Sequence, residues 1–270
     1  MKRDLYRKAT DDSTRVDLVI ELSNTELTCV ALDANNAIQG YSFFRTSFSL
    51  MEDDFHASIE NELLKIKREY QNISNVKLFL DNNRISFIPE KYYQSADAPQ
   101  HFTIQHGKSS QPSLLRETNI IYEGVGVFEY SQQLEALVIK IFGPCALFHS
   151  YAAQATSAFN KEAVSIIFHK HYFNICIKKE KQLQIVKSFA FETEADVLYH
   201  ILNSFQILNI NVENTAVGLC GAVDESSSLY KTLNDFLFDL RLLKTDEELS
   251  EDEIPAHYFY HLLQFNKCVS

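Results

Sequence analysis

The sequence predicts an α/β protein made of two copies of one unit, in which three antiparallel strands are followed by a helix and a fourth strand. Two observations carry this prediction. The hydrophobic pattern changes from strand-like to helical and back in the same order twice along the chain. The matching segments also have similar lengths, although their residues are not alike. We expect the first copy to occupy residues 1–150 and the second residues 151–270.

In the first copy, three strand-like segments are joined by short turns. Asn35 and Asn36 mark one turn and residues 23–25 form the other, which predicts a meander. A helical stripe of apolar residues follows, with Ser49 as a cap and Glu52 in capping-box position. The predicted elements are strands at 16–22, 26–32 and 37–45, a helix at 51–70 and a strand at 76–80.

The second copy repeats this order, and further helices surround it. Its predicted elements are strands at 163–168, 172–178 and 182–191, a helix at 194–208 and a strand at 215–220. A helix at 226–238, a solvated acidic run at 246–253 and a terminal helix at 256–265 are predicted after it. Between the copies we expect a helix at about 90–100 that breaks near Pro99, a mobile loop at 107–113, a strand at 118–129 and helices at 132–141 and 152–159.

Composition excludes several classes of protein. The chain has 270 residues, of which 46% are hydrophobic, so it can bury a sizeable core. Its net charge of −11 argues against a general nucleic-acid binder, because phosphate would be repelled. No apolar run approaches the roughly 18 residues that a membrane span needs. Residues 1–12 lack a secretory signal, so we expect a cytoplasmic protein.

The familiar chemical motifs are incomplete in this chain. The five cysteines form no CxxC pair, which speaks against a disulfide framework or a zinc site. A P-loop reading of residues 107–109 fails because Phe102 stands where glycine is required. Gly124 and Gly126 lack the third glycine of a dinucleotide fingerprint, so a bulge or close strand packing is expected there. Two histidine pairs, at 169/171 and 257/261, have no third ligand, and we expect exposed turn residues and core-edge or surface residues respectively.

The repeated order resembles the ribonuclease H-like half-domain that is duplicated in the actin, sugar kinase and Hsp70 superfamily. More specifically, the chain looks like an uncharacterised bacterial family described as actin-like ATPases, and it is similar in plan to the actin-like assembly proteins of pilus and secretion systems. This resemblance spans nearly the whole chain and rests on the element order. It implies duplicated ribonuclease H-like (βββαβ) halves in an actin-like ATPase arrangement.

The resemblance also implies where a nucleotide would bind. In active members, the first hairpin of each half carries an acidic residue, which organises the metal, and a glycine-containing turn, which holds phosphate. Here Glu21 stands in the acid position, and Ser23 or Thr25 could donate to phosphate, but no glycine is present. Lys170 in the second turn, Asp81 at a strand end and Gly221, in the place of an adenosine-contacting turn, complete the candidate nucleotide cleft.

These residues lead to one main hypothesis and two alternatives. The main hypothesis is a non-catalytic or weakly nucleotide-binding protein that acts through contacts with an unidentified protein partner, with no catalytic or metal-binding residue assigned. The first alternative is an active actin-like ATPase or small-molecule kinase with an unorthodox site, which would use ATP and Mg²⁺. It lacks a Lys or Arg at the first turn to neutralise phosphate. The second alternative is a filament or assembly component. For the oligomeric state of this chain itself, we expect a monomer or dimer.

Overall fold

The structure is a computed structural model that describes residues 4–7, 14–45, 53–108, 113–120, 124–156, 164–180, 182–244, 255 and 257–269. The predicted cap at Ser49 and Glu52, the acidic run at 246–253 and most of the predicted loop at 107–113 lie outside these residues. The chain divides into two compact units, Met1–Ala152 and Ala153–Ser270. Each unit is described by itself below.

The described residues form strands and helices in alternation. The strands are β1 (Asp4–Arg7), β2 (Val16–Ser23), β3 (Glu26–Leu32), β4 (Ile38–Arg45), β5 (Ile73–Asp81), β6 (Ile85–Pro89), β7 (Ser113–Ile120), β8 (Gly124–Ser131), β9 (Ala146–His149), β10 (Val164–Phe168), β11 (Tyr172–Lys179), β12 (Gln182–Ala190), β13 (Ala216–Gly221) and β14 (Asp239–Leu242). The α-helices are α1 (Asp53–Glu69), α2 (Ala98–His106), α3 (Gln132–Phe142), α4 (Ser150–Thr156), α5 (Glu194–Ile207), α6 (Ser228–Phe236) and α7 (Tyr260–Cys268). Short 3-10 helices lie at Glu90–Tyr92, Ser95–Asp97 and Val212–Asn214.

The main sheet of the first unit is mixed, with three antiparallel and two parallel strand pairings. Its strand order is β1-β4-β3-β2-β5-β9. Strands β1 to β4 pair antiparallel, as the predicted meander requires, whereas β2, β5 and β9 run parallel. Strand β3 is buried along its whole length, because side chains on both of its faces are covered. The carboxyl ends of three parallel strands therefore meet at one edge of this sheet.

Helix α1 carries the apolar stripe that its sequence period predicts. Ile59, Leu63, Ile66 and Tyr70 are all buried, with Ile59 fully covered at 0% exposure. These positions recur every three or four residues and so share one helix face. The opposite face carries charge, and Glu60 pairs with Lys140 of α3 at 2.9 Å. Helix α1 thus follows the meander and precedes the parallel strand β5, as expected.

A small antiparallel sheet, in the order β6-β8-β7, follows β5 in the first unit. The predicted strand at 118–129 is in fact parts of two strands, β7 and β8. The predicted helix ending near Pro99 is also wrong, since Pro99 lies in the first turn of α2. Proline is favoured there because a first-turn residue needs no N–H partner. Close packing explains Gly126, where a Cβ would lie 2.9 Å from Thr118 Cγ2.

The sheet of the second unit repeats the plan of the first. Its order is β12-β11-β10-β13-β14, in which β10, β11 and β12 are antiparallel and β10, β13 and β14 are parallel. Helix α5 begins with a capping box, because Thr193 and Asp196 each accept a backbone N–H from the other. Strand β14 was not predicted. The predicted strand–strand–strand–helix–strand order is confirmed in both units, and the fold is a mixed α/β fold with two sheet-rich halves.

Two further expectations concern the whole described chain. All five cysteines are free thiols, so no disulfide framework is present. In the part of the chain that the structure describes, no helix is both long and apolar enough to cross a membrane.

Candidate functional site

Polar side chains gather at the carboxyl ends of the three parallel strands of the first unit. In the strand register, Ser23 of β2 lies beside Asp81 of β5, and Leu80 of β5 lies beside His149 of β9. We call the residues at these ends the first polar edge. They are all buried, at 4% exposure or less, and comprise Glu21, Ser23, Asp81, His149 and Ser150. Burial of five polar side chains requires compensating interactions such as hydrogen bonds.

Two acidic side chains of the first polar edge lie close together. A carboxyl oxygen of Glu21 lies within 4.8 Å of one of Asp81. Glu21 Oε1 also accepts a hydrogen bond of 2.7 Å from Ser150 Oγ. Paired carboxylates are the ligands that Mg²⁺ prefers in proteins, so Glu21 and Asp81 would hold such an ion. Its charge would offset the repulsion between the carboxylates and a phosphate group.

The turn between β2 and β3 is closed by the hydroxyl group of Ser23. Ser23 Oγ accepts the backbone N–H of Thr25 at 3.2 Å and that of Glu26 at 3.0 Å. It also lies 3.3 Å from the carbonyl oxygen of Glu26, to which its own proton can be donated. These backbone N–H groups belong to the turn that would hold phosphate in the nucleotide-binding reading. In this structure they are already engaged inside the turn.

His149 is held as a neutral imidazole. Its Nδ1 accepts the backbone N–H of Tyr151 at 3.1 Å, so the proton must be on Nε2, which donates to Asn82 Oδ1 at 3.3 Å. Asn82 Oδ1 is fixed as an acceptor because it also receives the backbone N–H of Arg84 at 2.8 Å. Desolvation by complete burial lowers the pKa of His149 to about 3, against a smaller opposing effect of Glu21.

Arg84 lies near this network but its charge is already engaged. Its Nε forms an ion pair with Glu129 Oε2, and its Nη1 donates to the carbonyl oxygen of His106 at 3.0 Å. The guanidinium also lies 5.3 Å from the centre of the Phe102 ring. Arg84 therefore serves the small sheet and α2, and its charge is balanced locally by Glu129.

In the second unit, the turn after β10 differs from its sequence-based prediction. His169 is buried at 7% exposure, and its ring stacks on Tyr172 at a centroid distance of 4.3 Å. The prediction of an exposed His169 is therefore wrong, because an aromatic neighbour covers it. Lys170 and His171 are exposed, as expected for turn residues. The backbone N–H of His169 donates to the carbonyl oxygen of Tyr172 at 2.9 Å, and this hydrogen bond closes the turn.

Gly221 ends β13 in a crowded position. Its φ is +86°, and a Cβ there would lie 2.2 Å from the carbonyl oxygen of Phe168 on the neighbouring strand β10. Its N–H donates to the carbonyl oxygen of His257 at 2.9 Å, and Ala222 N–H donates to Phe168 at 2.8 Å. Glycine is needed here for backbone conformation and strand packing, so no ligand is required to explain it.

The segment that begins at His257 covers the end of β13. His257 and His261 are both 4% exposed and so belong to the core, whereas core-edge or surface positions were expected. The Nε2 atom of His257 hydrogen-bonds with the carbonyl oxygen of Val223. Burial lowers the pKa of His257, against a smaller opposing effect of this hydrogen bond. Helix α7 follows directly.

The residues proposed from sequence form one group in each unit. In the first unit, Glu21, Ser23 and Asp81 share the first polar edge, and Thr25 lies in its turn, with Oγ1 3.4 Å from Ser23 Oγ. In the second unit, Lys170 follows the end of β10 and Gly221 ends the neighbouring β13. Asn82, His149 and Ser150 were not predicted from the sequence as site residues. Recognising 146–149 as a parallel strand would have placed His149 and Ser150 at this edge.

Comparison with known proteins agrees with this architecture. A family described as "Protein of unknown function (DUF3822)" matches residues 6–240, which is most of the chain. The chain belongs to this family. Comparison with curated protein sequences gave no match.

Several solved structures are similar to this DUF3822 chain. A Bacteroides thetaiotaomicron VPI-5482 protein with actin-like ATPase fold and unknown function aligns with a TM-score of 0.65 and 18% identity, over 86% of this chain and 91% of that one. A chain of the PilM-PilN type IV pilus biogenesis complex aligns at 0.62 and 13%, over 94% and 98%. The cytoplasmic domain of EpsL, an inner membrane component of the Vibrio cholerae type II secretion system, aligns at 0.51 and 10%, over 94% and 95%.

These alignments show that the DUF3822 chain has an actin-like ATPase fold. The expectation of an uncharacterised family with this fold is confirmed. At identities of 10–18%, the alignments carry the fold and no activity.

Proposed function

We propose that this protein is a non-catalytic or weakly nucleotide-binding member of the actin-like ATPase fold that acts through protein contacts. One observation carries the proposal. Ser23 Oγ accepts the N–H groups of Thr25 and Glu26, which a phosphate-binding turn would have to present to its ligand. A nucleotide would have to displace these hydrogen bonds in a buried turn without gaining the backbone freedom that glycine provides.

Gly221 gives independent support to the same proposal. In the nucleotide-binding reading, this glycine turn contacts adenosine. Here the backbone N–H of Gly221 donates a hydrogen bond to the carbonyl oxygen of His257. The carbonyl oxygen of Phe168 lies so close that a Cβ on residue 221 would collide with it. Among the six candidate cleft residues, Ser23 and Gly221 thus have structural roles that need no ligand.

A similar solved structure supports action through protein contacts. One similar structure is that of a complex of two proteins, PilM and PilN, in type IV pilus biogenesis. The proposal includes an unidentified protein partner and a cytoplasmic location. The five free thiols favour that location, because reducing compartments keep cysteines unpaired. We also propose that residues 1–150 and 151–270 are the two ribonuclease H-like halves.

Isothermal titration of the full chain with Mg²⁺ and ATP, together with a phosphate-release assay, tests this function. We expect no binding or only weak binding, with no phosphate release above the buffer control. Titration with Mg²⁺ alone separates metal binding from nucleotide binding. Submillimolar ATP binding accompanied by turnover would contradict the proposal.

A second candidate, an actin-like ATPase or small-molecule kinase with an unorthodox site, is favoured by one observation. The carboxyl groups of Glu21 and Asp81 lie within 4.8 Å at a parallel-strand edge, where the donor set fits Mg²⁺. When bound, the ion would neutralise phosphate charge. Glu21 and Asp81 would position it, and the Ser150 hydroxyl would hold the Glu21 carboxyl group in place.

Thermal unfolding with and without Mg²⁺ distinguishes this candidate. If it is correct, Mg²⁺ raises the melting temperature of the wild type, Asp81→Asn removes that increase, and ATP is turned over. Asp33→Asn is the matched control, because Asp33 accepts hydrogen bonds in the β3–β4 turn away from this edge. A melting temperature that Mg²⁺ leaves unchanged would remove the second candidate.

A further inference from the structure

In the part of the chain that the structure describes, strand β14 is an edge strand of the second unit's sheet, and its side away from β13 is called its open side. Among the described residues it pairs with β13 alone, in the parallel register Ala216 with Asp239 to Leu219 with Leu242. Leu243 N–H donates to the carbonyl oxygen of Leu219 at 2.8 Å, so the odd-numbered residues point their backbone groups towards β13. Because these groups alternate along a strand, the N–H and C=O groups of Leu240 and Leu242 point to the open side.

Apolar side chains flank this open edge. Phe238, directly before β14, is 79% exposed, and Phe236 at the end of α6 is 56% exposed. Leu240 and Leu242 pack partly against the core of the second unit. Side chains two apart on a strand share a face, so Leu240 and Leu242 form a short apolar row, and the exposed Phe238 lies directly before it in the chain. An open edge with a large exposed apolar residue is a site at which another strand adds.

The charged side chains of β14 are arranged so that the strand complements itself. Asp239 and Arg241 lie on the other strand face and form a bidentate ion pair of 2.7 and 2.6 Å. If a second β14 pairs antiparallel about Leu240, Leu240 faces Leu240, and Asp239 of each strand faces Arg241 of the other. The same register places Phe238 opposite Leu242. The backbone N–H and C=O groups of the two Leu240 residues then meet as a hydrogen-bonded pair at the centre of the contact.

We propose that two copies of this chain associate by antiparallel pairing of β14 with β14 across a twofold axis. Charge complementarity favours a second copy as the occupant, since an antiparallel β14 presents Arg241 to Asp239 and Asp239 to Arg241. A twofold contact of this kind is closed, so it yields a dimer and not a filament. One short strand buries less than a standard interface, so we expect a weak dimer whose population depends on protein concentration.

Sedimentation equilibrium of the full chain tests this dimer. We expect a concentration-dependent equilibrium between monomer and dimer. Asp239→Arg or Arg241→Asp alone places like charges opposite each other twice and should weaken association about tenfold or more. Lys140→Glu, which reverses an exposed paired charge on α3 in the first unit, is the matched control and should dimerise as the wild type does.

Mixing the two single variants gives the decisive result. Asp239→Arg presents two positive residues and Arg241→Asp two negative ones. An equimolar mixture should therefore form a heterodimer with wild-type affinity, although each variant alone associates about tenfold or more weakly. The double variant Asp239→Arg with Arg241→Asp should also dimerise, and circular dichroism checks that every variant folds. A wild type that stays monomeric at all concentrations, single variants that dimerise normally, or a mixture that stays monomeric would each overturn the proposal.

Discussion

The Ser150 hydroxyl donates a buried hydrogen bond of 2.7 Å to Glu21 Oε1, and it joins residues 129 positions apart in the chain. Ser150 follows β9, whereas Glu21 lies near the end of β2, so the bond spans the carboxyl ends of the parallel strands. A buried carboxyl group needs such partners, because its desolvation is costly. This contact therefore contributes to the stability of the first polar edge.

Replacing Ser150 by alanine should lower the free energy of unfolding by about 1–2 kcal/mol, because a buried acceptor loses a donor. Urea denaturation measures this change. Ser228→Ala is the matched control, since Ser228 also donates to a carboxylate, Glu194, at 2.6 Å, but on the surface. The control should lose less. Equal losses in the two variants would show that burial does not govern the strength of the Ser150 contact.

Gly221→Ala should destabilise the protein by about 2–4 kcal/mol, because the new Cβ would collide with the Phe168 carbonyl at a positive φ. Gly143 provides the control. Its φ is +88°, but nothing lies within 4 Å of the added Cβ, so Gly143→Ala should cost backbone strain alone, about 1–2 kcal/mol, and less than Gly221→Ala. Thermal or urea unfolding compares the two. If both variants lose the same stability, the close approach to Phe168 does not explain this glycine.

Stability should fall in mild acid because of His149. Burial lowers the pKa of its imidazole to about 3 in the folded chain, against about 6.5 when unfolded. Between these values the unfolded state binds a proton that the folded state does not, so stability decreases as the pH falls. This group alone should cost about 2 kcal/mol between pH 7.5 and pH 5.

His149→Gln tests that assignment, because a glutamine amide does not titrate and offers both a donor and an acceptor. The variant can be less stable at every pH, but its stability should vary less between pH 7.5 and pH 5 than that of the wild type. Urea unfolding at several pH values gives the difference. Identical pH dependence in both proteins would mean that His149 is not a buried neutral imidazole.

Ser23→Ala should cost about 1–2 kcal/mol, since the N–H groups of Thr25 and Glu26 lose their acceptor in a turn where Glu26 is buried. Thr25→Ala should cost clearly less, because its hydroxyl makes only the long 3.4 Å contact with Ser23 Oγ. Denaturation curves of the two variants provide the comparison. A larger loss of stability for Thr25→Ala than for Ser23→Ala would mean that the Ser23 hydroxyl does not close the turn.

Much of the fold follows from local pattern. The change from alternating to helical period placed β2, β3, β4 and α1, and the same change placed β10 to β12 and α5. Pro99 misled the prediction because proline ends one helix and begins another equally well, and only the chain around it decides. Strand β14 was missed because four residues with two charges show little strand pattern, and pairing with β13 makes them a strand.

Only part of the candidate site could be predicted from the sequence. Asp81 was found because it lies at the end of a recognisable strand, and Glu21 and Ser23 because the resemblance to the actin-like superfamily gives a role to the first hairpin. Ser150 was not, since its partner Glu21 is remote in sequence and β9 was not recognised as a strand. The burial of His169 depends on stacking with Tyr172, which a turn pattern does not reveal.

Assignment of the backbone amide resonances of Thr25 and Glu26, followed by titration with ATP and Mg²⁺, addresses the state of the β2–β3 turn at the atoms concerned. With Ser23 already bound to both amides, their chemical shifts and hydrogen-exchange rates should be the same with and without nucleotide. Saturable shifts of both amides at submillimolar ATP, with slowed exchange, would show phosphate held by this turn and would contradict the account.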